Sequence, residues 1–330
     1  TIEEHVIWVE DLDSVFKIHT DKRPRMVVFN SGLKVPSNLK MQKSVSDLKY
    51  QLVNAPNVLD RIWASQQLSK KKGRKIVEYA LLESAKEDSF WAVRSEAYSS
   101  LGKLKTKASQ EDFQWIKNNE KDNRVKRSFI RSLRHQLNDD NVSRFLEDII
   151  ISDTSYYSIA DAIRILSVVD SSKAKDHVIK LLNTESHNDV IRKSALSYYG
   201  QVKTMSNYNR LKELAQYGKF SWASRSTIIY ELSKYQKTRP KTYDYILSFF
   251  DDEDRFVRMA VIAQIGNYGN ESNYGLLDEM VEKDPVLSIN SRRAKAKIQK
   301  RKNSVSKKSK TQTVEQLNKK INAIKNILLD

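Results

Sequence analysis

The sequence predicts an all-α fold: a right-handed α-α superhelix, or solenoid, of about seven to eight helical hairpins. Three observations predict it. The chain repeats itself with a period near 33 residues. Each copy carries apolar residues at helical spacing. Glycine is scarce, 8 residues in 330, and no Gly-rich phosphate loop of either nucleotide-binding pattern occurs.

The repeat is clearest at one helix position, occupied by Ala64, Ala97, Phe129, Ala162, Ala195, Ile228, Val261 and Ala294. Four residues on come Leu68, Leu101, Leu133, Leu166, Tyr199, Leu232, Ile265 and Ile298. Three residues before the first position stand Arg61, Arg94, Lys126, Ile159, Arg192, Arg225, Arg258 and Ser291, mostly basic. Gly102, Gly200 and Gly266 follow the second apolar position directly. They are expected to end their helices as left-handed caps. The unit therefore reads Val/Ile-Arg-x-x-Ala-x-x-x-Leu-Gly.

A second helical pattern lies between these copies, as in Ile76–Leu82, Phe145–Ile150 and Tyr245–Phe250. Each repeat is then a hairpin that cannot bury its apolar face alone, so neighbours must stack. The turns carry Asp and Asn, among them Asp88, Asp122, Asn123, Asn188, Asp189 and Asp251–Asp254. These are expected N-caps. Trp63, Phe90, Trp91, Trp115 and Trp222 fall at or near core positions and are expected to pack there.

These motifs resemble HEAT and armadillo-type helical repeats over about residues 55–300. In that family the recurrent Arg bonds Asp side chains and carbonyls in the inter-helix turns. The resemblance thus implies a structural ladder of Arg61, Arg94, Lys126, Arg192, Arg225 and Arg258, with a peptide-facing role as the alternative. The pairs it suggests are Asp88 with Arg94, Asp189 with Arg192, and Asp252 or Asp254 with Arg258.

The ends differ from the middle. His5–Val9, Ser14–Ile18 and Arg25–Asn30 are β-branched and aromatic runs between turn residues, and predict three short strands. Residues 1–35 are thus a short β segment, 36–300 the solenoid, and 301–330 a basic connector with a C-terminal amphipathic helix. In that helix Val314, Leu317, Ile321, Ile324 and Leu328 mark one face. Residues 291–310 hold ten Lys/Arg and no acid, which is +10 of the +17 net charge. The basic excess is a local tail, so nucleic acid is disfavoured as a partner.

Catalytic signals are sparse. The chain has no Cys, which excludes disulfides, thiolate metal sites and a thiol nucleophile. The five His (His5, His19, His135, His177 and His187) form no His-Glu-x-x-His. The acid pairs Asp139–Asp140 and Asp251–Asp252 sit in predicted turns, where capping explains them. No catalytic, metal or cofactor-binding residue is assigned. No run of about 18 apolar residues occurs that could span a membrane. Thr1 stands where an initiator Met would, so the expectation is either a processed product or a piece of a longer protein.

A second resemblance covers about 45 residues. The series is Pro24–Asn30, Leu39-Lys40, Lys43-Ser44, Leu48–Leu52, Ala55 and Leu59–Ala64. It is similar to the passage from the β-sandwich into the helical C-terminal domain of aminopeptidase-N-type zinc metallopeptidases, the gluzincin aminopeptidases. The resemblance implies a non-catalytic C-terminal region, with zinc only in a catalytic domain outside this chain. In that family the helical domain closes over the catalytic cleft, restricts access to peptides, and can contribute an Arg toward the peptide's carboxyl end. The implied partners are the parent's catalytic domain and peptide substrates. Two other readings stand beside it: a stand-alone scaffold for a protein or peptide partner, and a nucleic-acid-binding solenoid like the HEAT-like DNA repair glycosylases.

Overall fold

The structure, a computed structural model, describes residues 3–304. Helical hairpins account for almost all of its regular structure, and the chain is an all-α solenoid. The described residues divide into two compact units, with the boundary between Thr106 and Lys107. That boundary falls inside the stretch expected to form one solenoid, 36–300.

The first unit holds two hairpins, α1 (Val45–Asn54) with α2 (Val58–Leu68), and α3 (Lys75–Glu87) with α4 (Trp91–Leu104). Ser44 opens α1 with a capping box to Asp47, and Asn57 caps α2 through the Leu59 amide. The two second helices, α2 and α4, pack side by side, and Ser65 and Ser100 bond across them at 3.1 Å. Their core is the predicted stripe: Ala64, Leu68, Ala97 and Leu101 are buried.

The second unit holds six hairpins among the described residues. They are α5 (Gln110–Asn118) with α6 (Asn123–Ser132), α7 (Asp140–Ser152) with α8 (Tyr156–Val169), and α9 (Ser171–Leu182) with α10 (Val190–Gln201). Next come α11 (Met205–Leu214) with α12 (Trp222–Ser233), α13 (Thr242–Leu247) with α14 (Arg255–Tyr268), and α15 (Tyr274–Lys283) with α16 (288–304). The second helices α6, α8, α10, α12 and α14 form one continuous row. Phe113, Phe129 and Phe145 meet with ring centroids 5.0–5.8 Å apart and fill the junction of the first two hairpins.

Four expectations need correction. The three strands expected within residues 1–32 are not formed among the described residues; 3–30 run without helix or ladder, followed by a 3-10 turn at Ser31–Leu33. Alternating apolar residues favour extended backbone, but a strand needs a hydrogen-bonded neighbour. Gly200 and Gly266 do not end their helices in the left-handed conformation; both lie inside α10 and α14, where the next repeat approaches closely. Gly102 likewise lies within α4. Among the turn residues, Asp122 caps its helix, but Asp189 and Asp254 make no side-chain cap bond. Finally, Phe90 and Trp222 stay about 40% exposed, and Trp222 stacks on Phe256 at 4.1 Å. The core aromatics among the described residues are instead Tyr98, Phe113, Phe129, Phe145, Tyr198, Tyr199, Tyr235 and Phe250. The amphipathic helix expected over 311–330 lies outside the described residues.

Tyr235 ties two repeats together. Its hydroxyl donates to the Tyr199 carbonyl at 2.5 Å, and burial pushes its pKa up to about 12. The neutral phenol is favoured in the folded state, so its contribution is complete below pH 10 and is lost as the pH rises toward about 12. Urea titrations in that range should show stability falling steeply in the native chain and less steeply in Tyr235→Phe. Parallel slopes for the two proteins would remove Tyr235 as the cause.

Candidate functional site

The recurrent basic residues mark the start of each second helix, and most of them serve the turns. Two kinds of contact recur, and Arg61, Arg225 and Arg258 make both. Toward its own repeat the base donates to turn carbonyls: Arg61 to Ala55 and Pro56, Arg94 to Asp88, and Arg258 to Asp252 at 2.6 Å and Glu253 at 3.0 Å. Toward the next repeat it reaches an Asp 26 or 27 residues on. Arg61 holds Asp88 at 2.8 Å, Lys126 holds Asp153 at 3.0 Å, and Arg258 holds Asp284 at 2.7 Å. Arg225 binds Asp252 through both terminal nitrogens and Asp254 at 2.9 Å. Several of these Asp also brace the turn from inside. Asp88, Asp153 and Asp252 accept the amides of Phe90, Ser155 and Asp254.

The carboxylates of Asp88, Asp153, Asp252 and Asp284 therefore belong to the preceding repeat's base, whereas Asp122 pairs with Arg124 of its own helix. The pairing expected between Asp88 and Arg94 is made through the Asp88 carbonyl, and that between Asp252 and Arg258 through the Asp252 carbonyl. Arg192 is the exception. It bonds its own Asp189 at 2.5 Å and lies over the Phe220 ring at 5.0 Å. Asp189 receives the hydroxyls of Ser221 and Ser224; burial raises its pKa, but those bonds and Arg192 hold it below the usual carboxylate range. Where Ile159 replaces the base, the residues 26 and 27 places on are Glu185, which is exposed, and Ser186.

Beyond the ladder, the exposed side of the second-helix row carries the chemistry. Residues one and five places after the ladder position lie opposite the core stripe on each helix. At α6 these are Arg127 and Arg131, and at α8 the buried Ala160 and the exposed Arg164. The three arginines converge on Asp161, which is only 2% exposed. Arg127 donates to its Oδ2 at 2.7 Å, Arg131 pairs with the same oxygen at 2.9 Å, and Arg164 donates to Oδ1 at 3.3 Å. Arg127 is also held over the Tyr157 ring at 4.9 Å, and Arg164 is anchored to Ser194 of α10 at 2.8 Å. Arg131 and Arg164 remain about half exposed.

Farther along the row, Glu231 of α12 is buried and paired with Lys234 at 2.6 Å. Burial raises its pKa, opposed by Lys234 and Arg164. Its carboxylate lies against Gly200, where a Cβ would stand 1.8 Å from Oε2. Beside it an open cleft of about 540 Å³ is lined by Ser167, Gly200, Lys203 and Lys234.

The histidines do not assemble. His177 meets Glu147 at 3.2 Å, His187 meets the Asn188 amide, and His5 lies 3.7 Å from Glu3. Among the described residues no group of three or more His, Asp or Glu is placed to hold a metal ion. No helix among the described residues is long and apolar enough to cross a membrane.

No protein-family model and no curated protein matches the sequence. Among solved structures the chain is similar to human deoxyhypusine hydroxylase in complex with glycerol. The identity is 13% and the TM-score 0.30, over 68% of this chain and 95% of that one.

The Asp161 cluster escaped the sequence analysis. The available signal was its position: Asp161 occupies the place where the neighbouring repeats carry Ser128, Ser194 and Thr227, with Arg127 34 residues before it.

Proposed function

We propose that this chain is the non-catalytic helical region of an aminopeptidase-N-type metallopeptidase, a module that covers a peptide-binding cleft and limits what enters it. One observation supports the reading above the others. The scattered residues that carry the sequence resemblance are joined in the first unit into one bonded junction.

Lys43 donates to the Val27 carbonyl and to Gln51 Oε1. Gln51 passes the connection to the Asp60 carbonyl at 2.9 Å. The Asp60 carboxylate accepts the Ser31 hydroxyl at 2.5 Å and the Gly32 amide at 3.3 Å. Arg25 lies over the Tyr50 ring at 4.5 Å, and Lys43 over Trp63 at 5.4 Å. Residues separated by up to 29 positions thus form one clamp between the N-terminal segment and the first hairpin. A helical repeat needs no such clamp to stack. A preceding sheet held at a fixed angle to the helices would use one.

The extended segment itself supports the same reading. Val6, Trp8, Val9, Leu12 and Val15 are all more than 60% exposed. A run of apolar residues in extended backbone is stabilised when further strands pair with it. The ladder bases are engaged with the turns, which fits a supporting module.

Mapping the transcript around the Thr1 codon tests the parentage. A continuous upstream frame encoding His-Glu-x-x-His, with a further Glu about eighteen residues on, is the expected result. A start codon immediately before Thr1 would overturn the parentage and leave a stand-alone scaffold. For the chain by itself we expect no stoichiometric zinc by elemental analysis and no cleavage of amino-acid anilides above blank. Zinc-dependent water activation needs a ligand set that the described residues do not provide. Chelator-sensitive turnover by the purified chain would contradict this.

A further inference from the structure

We propose that Arg131 and Arg164, held over Asp161 on the exposed face of α6 and α8, form a binding site for a phosphate dianion, free or as a phosphoryl group. The site does not depend on the parentage proposed above.

The inference starts from an excess. Asp161 is fully buried and needs only one guanidinium to neutralise it, yet three converge on it. Arg127 alone satisfies Asp161 Oδ2, and is further held by Tyr157. Arg131 and Arg164 are not required for that neutralisation. The contacts of these guanidiniums among the described residues include no second carboxylate. Glu231, the acid that Arg164 influences from α12, already has Lys234 as partner at 2.6 Å. The local balance is three cations against one carboxylate, an uncompensated charge of two.

Geometry turns this excess into a receptor. Arg131 and Arg164 come from different helices and sit on opposite oxygens of one carboxylate, so Asp161 fixes their separation. Arg164 is fixed a second time by Ser194. Each guanidinium carries five donors, of which these contacts use one or two, and both groups are half exposed. The remaining N–H groups are preorganised toward solvent as two planar forks, the arrangement suited to bidentate oxyanion recognition. A single carboxylate would neutralise half of the excess. A phosphate monoester, with a charge of about −1.5 to −2 at pH 7, matches it. No Asp or Glu is exposed on α6, α8, α10 or α12. The role of Asp161 is positioning: it sets the two cations and touches no ligand.

The test is isothermal titration of the full chain with sodium phosphate at constant ionic strength, with chloride, acetate and phosphoserine as parallel titrants. Saturable binding of phosphate, absent for chloride and acetate, is expected. Arg131→Gln and Arg164→Gln should each weaken it about tenfold or more, the loss expected for one charge-assisted contact. Arg144→Gln on α7 removes the same charge from a residue bonded, among the described residues, to the Asp140 carbonyl and Asn141, and should leave binding unchanged. Both cluster variants change half-exposed side chains, and circular dichroism melts without phosphate verify that they fold. If phosphoserine binds as tightly as free phosphate, the site takes a phosphoryl group on a larger molecule; if only free phosphate binds, it takes the ion. Phosphate heats no larger than those of chloride would overturn the proposal. So would acetate binding as tightly as phosphate, or equal losses in Arg144→Gln and the cluster variants.

Discussion

Arg225→Ala is expected to lower the unfolding free energy by about 3–5 kcal/mol, the cost of leaving a buried ion-pair partner uncompensated. Arg225 is 1% exposed, the most enclosed base of the ladder. Burial alone would disfavour its charge, yet Asp252 and Asp254 outweigh that and hold its pKa above the ordinary value. Truncation removes four interactions: with the Ala215 carbonyl at 3.1 Å, twice with Asp252, and with Asp254. Asp252 is itself nearly enclosed, so its carboxylate would remain without its counter-charge. The Tyr217 ring, 5.3 Å from the guanidinium, would lose its cation as well. Equilibrium urea unfolding measures the loss. Adding Asp252→Asn to Arg225→Ala should recover part of it, because the stranded charge is then gone. A loss below about 1 kcal/mol, the range of an exposed pair, would mean that Arg225 does not staple the repeats.

The ladder illustrates what a sequence can and cannot convey. The period near 33 and the apolar stripe were legible because both come from one local rule, the 3.6-residue helical turn, applied in every repeat. That Arg meets Asp was legible too. Which Arg meets which Asp was not, because stacking decides it. A turn contains both an acid and carbonyls, and sequence proximity favours the base six residues on, as with Asp88 and Arg94. In the folded chain that base reaches the carbonyl, while the carboxylate turns to Arg61 on the repeat before. The offset of 26 or 27 residues is the stacking register written along the chain.

The N-terminal strands failed for a related reason. Alternation in His5–Val9 specifies a preferred backbone and a face, but a strand exists only with a partner ladder. Among the described residues no such partner is present. The Asp161 cluster was missed because its members come from two repeats, Arg127 and Arg131 lying 34 and 30 residues before Asp161 and Arg164 three after it; each looks like ordinary helix surface. Only the packing of α6 against α8 brings Arg127 and Arg131 to Asp161.

Gly266→Ala is expected to destabilise the protein by about 1–3 kcal/mol, the range for overpacking a close contact. The sign is the informative part. Gly in a helix interior is worse than Ala by about 0.5–1 kcal/mol, so helical propensity alone predicts stabilisation. At Gly266 a Cβ would stand 2.9 Å from the Ala294 Cα and 3.1 Å from its Cβ. The obstacle is backbone of α16, which cannot rotate aside as a long side chain can. Arg301 anchors α16 to the same place by donating to the Gly266 and Gly269 carbonyls, so moving the helix also strains those bonds. Gly275, in α15, is the internal control: nothing lies within 4 Å of the Cβ it would gain. Gly275→Ala should therefore be neutral or slightly stabilising, by at most about 0.5–1 kcal/mol. Thermal and urea unfolding of the two variants should move in opposite directions. Stabilisation by both would mean that α16 is free to shift away from α14, and that the glycine at this repeat position serves no close approach.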